Sequence, residues 1–407
     1  DGIRDRSPSR GLGDVYKRQL VHLSPHVSLT GAKADRWVVI NPGSEAMVAL
    51  SIASVIRDKK GGYDFLSGML AVYTPEKVAE STGVPAEKIK ELAQNFIENS
   101  PGLALGGGPS SRNSNLTSLH VAINILNAVS GNLGKTVFFH DQPAPENTSH
   151  HNLVQLIEDL EAGKVDLLIV DDSDPLHALP NSTGIKEALK NTFTVSLASQ
   201  INDTSSEADL QLPALTDYES WGDAFPRSGV RSIRQPVMAP VSLFEAKARE
   251  DVMLAAAKAV NPESFEGISD YRDFIRKEWQ NIQQDTGDRS HFDQFWVKVL
   301  EEGGLFSKPN LKSVSLKNEA SQLKLAETKI SGTGLTLIPT TSLFHGDGRG
   351  ARNPWLQEVP DPMSQIVWDS WVEINPDTAQ KMGINDRAIV EVLTENGSVQ
   401  ATVYYHF

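Results

Sequence analysis

The sequence predicts an α/β protein in which parallel-sheet domains are followed by a smaller, β-rich domain. Two patterns carry this prediction. Short apolar runs alternate with helical periodicity from residue 36 to about residue 260, and β-rich runs flank one short helix after residue 332. Alternating strands and helices imply parallel crossovers. With 407 residues and 39% hydrophobic content, the chain is long enough to build at least two cores.

A strand followed by a helix opens the predicted α/β region of residues 20–260. Trp37-Val38-Val39-Ile40 has the character of a strand, and the Asn41-Pro42-Gly43-Ser44 turn leads into a helix that begins near Glu45, with Ser44 as its cap. A strand farther along leads into a run of glycines, and a long helix after it ends at Gly131. The elements predicted here are helices 75–81 and 85–99, strand 103–105 and helix 116–129.

The same alternation continues in the second half of this region. We predict a strand at residues 165–170, a polar loop from Asp171 to Pro175, a helix at 184–190, and strands at 193–196 and 208–212. The pattern then breaks, because aromatic residues occur among many charges and a polar stretch follows. We interpret residues 261–331 as a helical insertion and linker.

Residues 332–407 form the predicted smaller domain. Asn375-Pro376 has the features of a helix start, and Gly383 has those of a helix end. β-rich runs flank Asn396-Gly397, which indicates a hairpin because both turn residues need a positive φ. Short strands with one small helix predict a β-barrel. We expect this barrel to be incomplete, since the sequence stops inside a strand-like run at Phe407.

Composition argues against several classes of function. The net charge of −14 repels nucleic-acid backbones. The longest nearly apolar run, from Ala46 to Ile56, has 11 residues, whereas a membrane helix needs about 20, so no direct membrane span is expected. Without cysteine, the chain holds no cysteine-ligated iron–sulfur cluster. Residues 1–19 lack hydrophobic periodicity, and we interpret them as a non-native leader; a disordered native leader is the alternative.

Three loops lie where predicted strands end and helices begin, the usual ligand crevice of an open α/β sheet. In the loop Pro42-Gly43-Ser44-Glu45, the backbone N–H groups after the proline suit a phosphate, and the Glu45 carboxylate suits a guanine-like base. An ordinary capped helix start is the alternative. Gly106-Gly107-Gly108 allows close backbone approach, although a plain turn explains a glycine run equally well. The carboxylates of Asp171-Asp172-Ser173-Asp174 suit ribose hydroxyls or a cation, and a solvated turn is the alternative.

Histidines and nucleophiles give no clear site. His140, His150 and His151 lie in one loop, but their spacing is not that of a zinc site, so no metal ligand is predicted. The sequence contains no nucleophile-elbow motif with a following acid and histidine. No residue of the sequence is therefore identified as a catalytic acid, base or nucleophile.

Several segments, taken in order, resemble the molybdopterin oxidoreductase (dimethyl sulfoxide reductase) family. They extend over most of residues 28–407, and their succession is more specific than any one of them. They are Asn41-Pro42-Gly43-Ser44-Glu45-Ala46, Leu126-Asn127-Ala128-Val129-Ser130-Gly131-Asn132-Leu133-Gly134-Lys135, Asp172-Ser173-Asp174-Pro175, Glu207-Ala208-Asp209-Leu210-Gln211-Leu212-Pro213 and Glu219-Ser220-Trp221-Gly222.

This resemblance implies α/β domains with a C-terminal double-psi-type β-barrel, and molybdopterin guanine dinucleotide as the cofactor. It also implies that the barrel closes over the cofactor. The loop that contains His345, Gly346 and Arg349 is therefore expected to face one cleft shared with the three loops above. We expect that cleft to be narrowed near Phe138 and Phe139.

Other segments are similar to a branch of this family, the molybdopterin-like/iron–sulfur fusion subunit of alternative complex III, a bacterial quinol-oxidising membrane complex. These segments are Ser28–Asp35, Tyr218–Asp223, Asp347–Glu358 and Trp368–Pro376. The similarity implies partner subunits of a respiratory membrane complex and a peripheral position on the periplasmic face of the inner membrane. It also implies that electron-carrying clusters lie on other segments. Members of this branch often lack a bound pterin.

Three departures from the family pattern favour a chain without its own pterin. Asn41 stands where the family often has Arg, Arg387-Ala388 where Gly-Asp is usual, and Thr136-Val137-Phe138-Phe139 where active members have several glycines. Arg would offer a bidentate donor to phosphate, and phenylalanines fill space that glycines leave open. We therefore expect a subunit that supports electron transfer from quinol. The alternative is a catalytic molybdenum oxidoreductase with bis-molybdopterin guanine dinucleotide, whose metal-ligand segment lies outside this sequence.

Overall fold

The computed structural model describes residues 19–108, 115–140, 150–326, 335–346, 348, 350–395 and 397–406. Residues 1–18 of the predicted leader lie outside the described residues, as do Arg349 and Asn396. The chain divides into two compact units: the first comprises the residues up to Phe139 and those from Ser313 onward, and the second runs from His140 to Lys312. The domain boundaries drawn from the sequence, at residues 260 and 331, stay predictions.

The strands are β1 (Val21–Ser24), β2 (Arg36–Val39), β3 (Phe139–His140), β4 (Leu167–Asp171), β5 (Phe193–Ala198), β6 (Leu210–Pro213), β7 (Gly222–Arg227), β8 (Val230–Arg234), β9 (Gly304–Phe306), β10 (Leu311–Lys312), β11 (Trp371–Ile374), β12 (Ile389–Thr394) and β13 (Gly397–Tyr405). The helices are α1 (Leu29–Ala32), α2 (Glu45–Lys60), α3 (Ser67–Leu70), α4 (Pro75–Thr82), α5 (Ala86–Glu98), α6 (Leu116–Ser130), α7 (His150–Glu161), α8 (Pro175–Ala178), α9 (Ile185–Ala188), α10 (Asp203–Glu207), α11 (Arg249–Val260), α12 (Tyr271–Thr286), α13 (Phe292–Glu302), α14 (Pro354–Gln357) and α15 (Pro376–Met382).

Helix α2 lies inside the core of the first unit. β1 and β2 pair in parallel ahead of it, with Val21 opposite Arg36. Nine residues of α2 are buried, and they lie on more than one face of the helix. Leu50 and Ile56 are fully buried in a cluster that includes residues of α4, α5 and α6. A helix that is apolar on most sides is stable only when other elements surround it. The start of α2 follows β2 after a turn of five residues.

The C-terminal sheet has the strand order β11-β13-β12. β13 pairs in parallel with β11 and antiparallel with β12, and the last antiparallel pair is Thr394 with Gly397. The predicted hairpin is confirmed, although Asn396 itself lies outside the described residues. The Asn375 side chain caps α15, which ends at Gly383 with a φ of 70°, as the sequence predicted. In the part of the chain that the structure describes, these strands form an open sheet and not a closed barrel.

The second unit contains a parallel sheet and an antiparallel sheet. In the parallel sheet β4-β5-β6, Leu167 pairs with Phe193, and residues of α7 and α9 pack in one cluster with Leu168 of β4. Helices α12 and α13 pack against the antiparallel sheet β7-β8-β9, and their Trp279 and Trp296 are buried in a second cluster. The α/β class with parallel sheets is therefore confirmed.

One strand predicted in the α/β region is wrong. Residues 103–105 form no strand, because a side chain rather than a neighbouring strand satisfies the backbone of Ala104. Ala104 donates its N–H to Oδ1 of Asn127 at 3.0 Å, and Nδ2 of Asn127 donates to the Ala104 carbonyl at 2.9 Å. The amide of Asn127 thus replaces the hydrogen bonds of a strand partner.

Candidate functional site

The Pro42–Glu45 loop is closed by hydrogen bonds to its own neighbourhood. Oγ of Ser44 donates to the Asn41 carbonyl at 2.6 Å, and Nδ2 of Asn41 donates to the Ser81 carbonyl at 3.0 Å. Ser44 is the N-cap residue of α2, as predicted, but its hydroxyl bonds to the preceding turn and makes no cap bond. Gly43 has a φ of 80°, in the left-handed region that favours glycine.

Glu45 places a carboxylate at the positive end of α2. Burial raises the pKa of Glu45 above its ordinary value, although hydrogen bonds from its own backbone N–H and from that of Gly43 oppose the rise. Its Oε1 atom is buried without a hydrogen-bond partner. An unpartnered buried acceptor is a position where a donor group of a ligand would be favourable.

The glycine loop has a different role at each position. Gly107 has a φ of 93°, and a Cβ atom there would lie 2.8 Å from Cε1 of His120 on α6. A Cβ atom on Gly108 would meet no atom within 4 Å. The imidazole of His120 therefore occupies the space beside Gly107 into which a side chain would project, whereas the corresponding space at Gly108 is open.

Two buried asparagines of the 126–135 segment hold this loop. Asn127 binds Ala104 as described above, and Nδ2 of Asn132 donates to Oδ1 of Asn127 at 3.1 Å. Asn127 is 2% exposed and Asn132 is fully buried, so both side chains act inside the core. Their positioning role was missed in the sequence, where the available sign was a polar residue on the buried side of an apolar helix.

The carboxylates at the end of β4 are engaged by one guanidinium. Nη1 of Arg249 lies 3.6 Å from Oδ1 of Asp171 and 3.2 Å from Oδ2 of Asp172, and its Nη2 lies 3.1 Å from Oδ1 of Asp217. Arg249 is the first residue of α11, and no sequence pattern singles it out. The Arg249 guanidinium therefore already places a positive charge at the loop that was predicted to bind ribose hydroxyls or a cation.

Asp174 belongs to the start of α10 rather than to an open site. It accepts hydrogen bonds from the Asp203 N–H at 3.2 Å, the Thr204 N–H at 3.0 Å and the Thr204 hydroxyl at 2.7 Å. Burial tends to raise the pKa of Asp174, but these bonds and one from the His177 N–H outweigh it, so the pKa is lowered. Ser173 is exposed.

The Glu219-Ser220-Trp221-Gly222 segment organises the neighbouring loops. Glu219 accepts bonds from the N–H and the hydroxyl of Thr216 at 3.0 and 2.8 Å and from the Val241 N–H at 2.9 Å, and these bonds lower its pKa. A Cβ atom on Gly222 would lie 2.8 Å from Nη2 of Arg234, so glycine leaves room for that side chain. Glu219 thus positions neighbouring loops, and Gly222 makes room for the Arg234 side chain.

His345 and Gly346 form a turn in the first unit. The Gly346 N–H donates to the Ser342 carbonyl at 3.0 Å, and the His345 N–H donates to the Ser342 hydroxyl at 3.3 Å. Nδ1 of His345 is buried without a partner. Arg349, the third residue predicted here, lies outside the described residues.

The predicted site residues are divided between the two units. The loops of Pro42–Glu45, Gly107-Gly108 and His345-Gly346 belong to the first unit, and Asp171–Asp174 belongs to the second. Their convergence on one cleft stays a prediction. Within the described residues, no group of three or more metal-ligating side chains could hold a metal ion. The helices of the described ranges do not include one with the length and apolar character needed to cross a bilayer.

The described side chains fit a pterin dinucleotide poorly. Glu45 keeps one buried acceptor free, which suits a donor on a base. In contrast, Asp171 and Asp172 are paired with Arg249, and Asp174 is committed to α10. A ribose hydroxyl at that loop would share its acceptors with the guanidinium and with α10, so these carboxylates are less available to a ligand than free ones.

Relatives of this chain are found among both sequences and solved structures, although no family model matches it. It is 24% identical over 411 residues to the menaquinone reductase, molybdopterin-binding-like subunit of Nitratidesulfovibrio vulgaris, which covers 95% of this chain and 57% of that protein. It is 23% identical over 437 residues to the probable oxidoreductase YoaE of Bacillus subtilis, covering 94% and 62%. Acetylene hydratase from Pelobacter acetylenicus has a TM-score of 0.68 at 17% identity, covering 95% of this chain and 64% of that one.

These relatives confirm the resemblance to the molybdopterin oxidoreductases, and the structural match confirms the fold. The chain spans less than two thirds of the length of each of the three proteins.

Proposed function

We propose that this chain, a relative of the molybdopterin oxidoreductases, is the molybdopterin-like subunit of a membrane-associated respiratory quinol:acceptor oxidoreductase, and that it supports electron transfer without a pterin of its own. Its similarity to a subunit of menaquinone reductase supports a place in a multi-subunit redox complex. In this proposal the chain is peripheral to the periplasmic face of the bacterial inner membrane, and other segments or subunits carry the iron–sulfur clusters.

The observation that carries the pterin-free part is the engagement of Asp171 and Asp172 by Arg249. The Arg249 side chain is only 19% exposed, so its charge is largely withdrawn from water and needs these carboxylates. A dinucleotide that used the same carboxylates would compete with the guanidinium for them and leave Asp217 as its remaining partner. The loop is therefore better suited to an internal ion pair than to a ligand.

The glycine loop supports the same proposal. His120 lies against Gly107, on the side of the loop where the absence of a side chain would allow a pyrophosphate to approach. Phe138 comes after α6, the helix that carries His120, and is 52% exposed. The narrowing of a cleft by Phe138 stays a prediction.

Metal and pterin analysis of the complete protein tests the proposal. The protein is isolated together with its partner subunits, molybdenum is measured by plasma mass spectrometry, and pterin is measured by fluorescence after oxidative extraction. We expect quinol:acceptor activity in the complex with molybdenum far below one atom per chain. A molybdenum enzyme purified from the same culture provides the control that the cells were loading the metal.

One atom of molybdenum per chain would overturn the pterin-free part of the proposal. A complete protein that never copurifies with other subunits, yet oxidises a substrate by itself, would overturn the subunit part. These outcomes are independent of each other, so each half is tested separately.

A second candidate function is a catalytic molybdenum oxidoreductase that binds bis-molybdopterin guanine dinucleotide. The unpartnered Oε1 of Glu45 favours it, because a guanine offers N–H donors that would satisfy this buried acceptor. The substitution Glu45→Gln discriminates the two functions in the complete protein. The catalytic function predicts loss of bound dinucleotide, whereas the pterin-free function predicts no change in composition.

A further inference from the structure

Three histidines gather where the loop of residues 25–28 meets the C-terminal sheet of the same unit. His22 lies on β1, His26 lies in the loop, and His406 follows β13 directly. Glu373 of β11 is an acidic group that acts on His26. No function was predicted for these residues, and none of them lies in the loops described above.

His406 connects the two segments. Its backbone N–H donates to the Ile374 carbonyl at 3.0 Å and so extends the pairing of β13 with β11. Its Nε2 lies 2.7 Å from the Val27 carbonyl, and because a carbonyl only accepts, Nε2 carries the hydrogen. The ring of Tyr404 stacks on that of His406 with centroids 6.0 Å apart, which fixes the imidazole in place.

His26 is adjacent to Val27 and has an unusual environment. It is partly buried, and its Nδ1 atom is buried without a partner. Burial lowers the pKa of His26, Glu373 opposes this, and His406 lowers it further. Burial also lowers the pKa of His22, with a smaller contribution from His26. The charged groups that act on His26 are therefore the Glu373 carboxylate and the His406 imidazole, and their balance with burial favours the neutral ring.

We propose that His22, His26 and His406 form a proton-sensitive latch, which holds the 25–28 loop on the C-terminal sheet at neutral pH and releases it on acidification. A proton on Nδ1 of His26 would be a buried, charged donor without an acceptor, beside two other imidazoles. Release of the loop gives this nitrogen access to water and breaks the bond from His406 to Val27.

The direction of the pH dependence follows from proton linkage. A ring whose pKa is lower in the closed latch than in the open one binds fewer protons in the closed state. Well above a pH of about 6.5 the His26 ring is neutral in both states and the latch is strongest. As the pH falls below that value, the open state takes up protons first, and the latch weakens until the closed state is protonated as well. Each pKa unit between the two states changes the opening constant about tenfold.

The release is confined to the contact itself. β1 stays paired with β2, and Val21 and Leu23 pack against the core of the first unit. Nε1 of Trp37 also donates to the Ser24 hydroxyl at 3.1 Å, which holds the end of β1. We therefore expect the 25–28 loop and residues 404–406 to separate while the strands below them remain formed. This inference does not rest on the proposed function.

Hydrogen–deuterium exchange of the whole chain between about pH 7.5 and about pH 5.5, corrected for the intrinsic pH dependence of exchange, tests the latch. In the wild type, corrected exchange of peptides that cover 25–30 and 400–406 should rise as the pH falls. The variant His26→Gln should abolish most of this rise. Glu373→Gln should enlarge it, because the carboxylate that favours the charged ring is gone. His151→Gln, at an exposed position of α7, is the matched control and should behave as the wild type.

Two results would overturn the latch. The first is corrected exchange in the wild type that does not change with pH at these peptides, and the second is a rise that persists unchanged in His26→Gln. If His26→Gln fails to fold, the latch is tested in the wild type by following the NMR signals of the histidine rings as the pH is changed. A His26 ring that titrates at or above the ordinary value of about 6.5 would contradict the proposal.

Discussion

Nη1 of Arg249 lies 3.2 Å from Oδ2 of Asp172, in a pair whose side chains are 19% and 45% exposed. A guanidinium that is more deeply buried than its carboxylate partner depends on that partner more than the reverse. Asp171 and Asp217 complete the set of carboxylates around Arg249. The end of β4 is therefore stabilised by charge pairing within the chain.

Removing Arg249 should destabilise the second unit modestly. Arg249→Ala leaves three carboxylates near each other, but the aspartates are at least 45% exposed and solvent screens much of their repulsion. We expect a loss of about 1 kcal/mol and a fall in melting temperature of about 2–4 °C, with the fall smaller at high salt. Arg289→Ala removes the same charge from an exposed position and should leave the melting temperature unchanged. Equal effects of the two substitutions on the melting temperature would contradict the stabilisation of the end of β4 by Arg249.

Asp174 should make stability depend on pH in the acid range. Its pKa is lowered in the folded protein, so its contribution to stability is complete above the unfolded value of about 3.8 and is lost as the pH falls through the folded value. Asp174→Asn should cost about 1–2 kcal/mol at neutral pH, because bonds from Asp203 and Thr204 lose a charged acceptor. Urea unfolding should show this difference constant from about pH 5 to about pH 8 and shrinking below about pH 3.8.

A control at the neighbouring position separates the side chain from the loop. Ser173 is exposed, so Ser173→Ala should change the free energy of unfolding little at any pH. A difference between Asp174→Asn and the wild type that persists unchanged at the lowest pH would mean that the carboxylate is not the origin of the effect.

Asn127 should determine the order of the glycine loop. Asn127→Ala leaves the N–H and carbonyl of Ala104 and Nδ2 of Asn132 without their partner, at a cost of about 3 kcal/mol. Hydrogen exchange of residues 102–108 should become faster than in the wild type. Asn124→Ala, at an exposed position of the same helix, should leave that exchange unchanged. Unaltered protection of Ala104 in Asn127→Ala would contradict the role of this amide.

Local patterns predicted much of the fold, and side-chain partners from distant segments account for most of what was missed. The cap at Asn375, the end at Gly383 and the hairpin between β12 and β13 follow from neighbouring residues, and all were predicted. The strand predicted at 103–105 is absent because its partner is the amide of Asn127, 23 residues away. No periodicity or propensity describes such a contact, since it depends on where α6 packs.

The candidate site shows the same limit more strongly. The position of Asp171–Asp174 after a strand was predictable, because polar residues followed an apolar run. Its engagement by Arg249 was not, because that residue lies on a later helix and is an ordinary surface type in the sequence. Such long-range partners decide whether a carboxylate is available to a ligand. The loop was therefore predictable from the sequence, but the pairing of its carboxylates with Arg249 was not.

Gly107 should tolerate alanine much less than its neighbour Gly108. Its φ of 93° is unfavourable for a residue with a Cβ atom, and that atom would lie 2.8 Å from Cε1 of His120. At Gly108 a Cβ atom would meet no atom within 4 Å, and no positive φ adds strain. Gly107→Ala should therefore cost about 2–3 kcal/mol in urea unfolding, and Gly108→Ala, the matched control, less than about 0.5 kcal/mol.

The double variant Gly107→Ala/His120→Ala separates the two causes of this cost. Removing the imidazole relieves the steric clash but leaves the backbone strain at residue 107, which is about 1–2 kcal/mol. Relative to His120→Ala alone, the alanine at position 107 should then cost only that strain. A double-mutant cycle from urea unfolding gives the coupling between the two positions, expected at about 1 kcal/mol. A coupling of zero would mean that His120 does not lie against Gly107, and the argument that this ring fills the space beside the loop would fail with it.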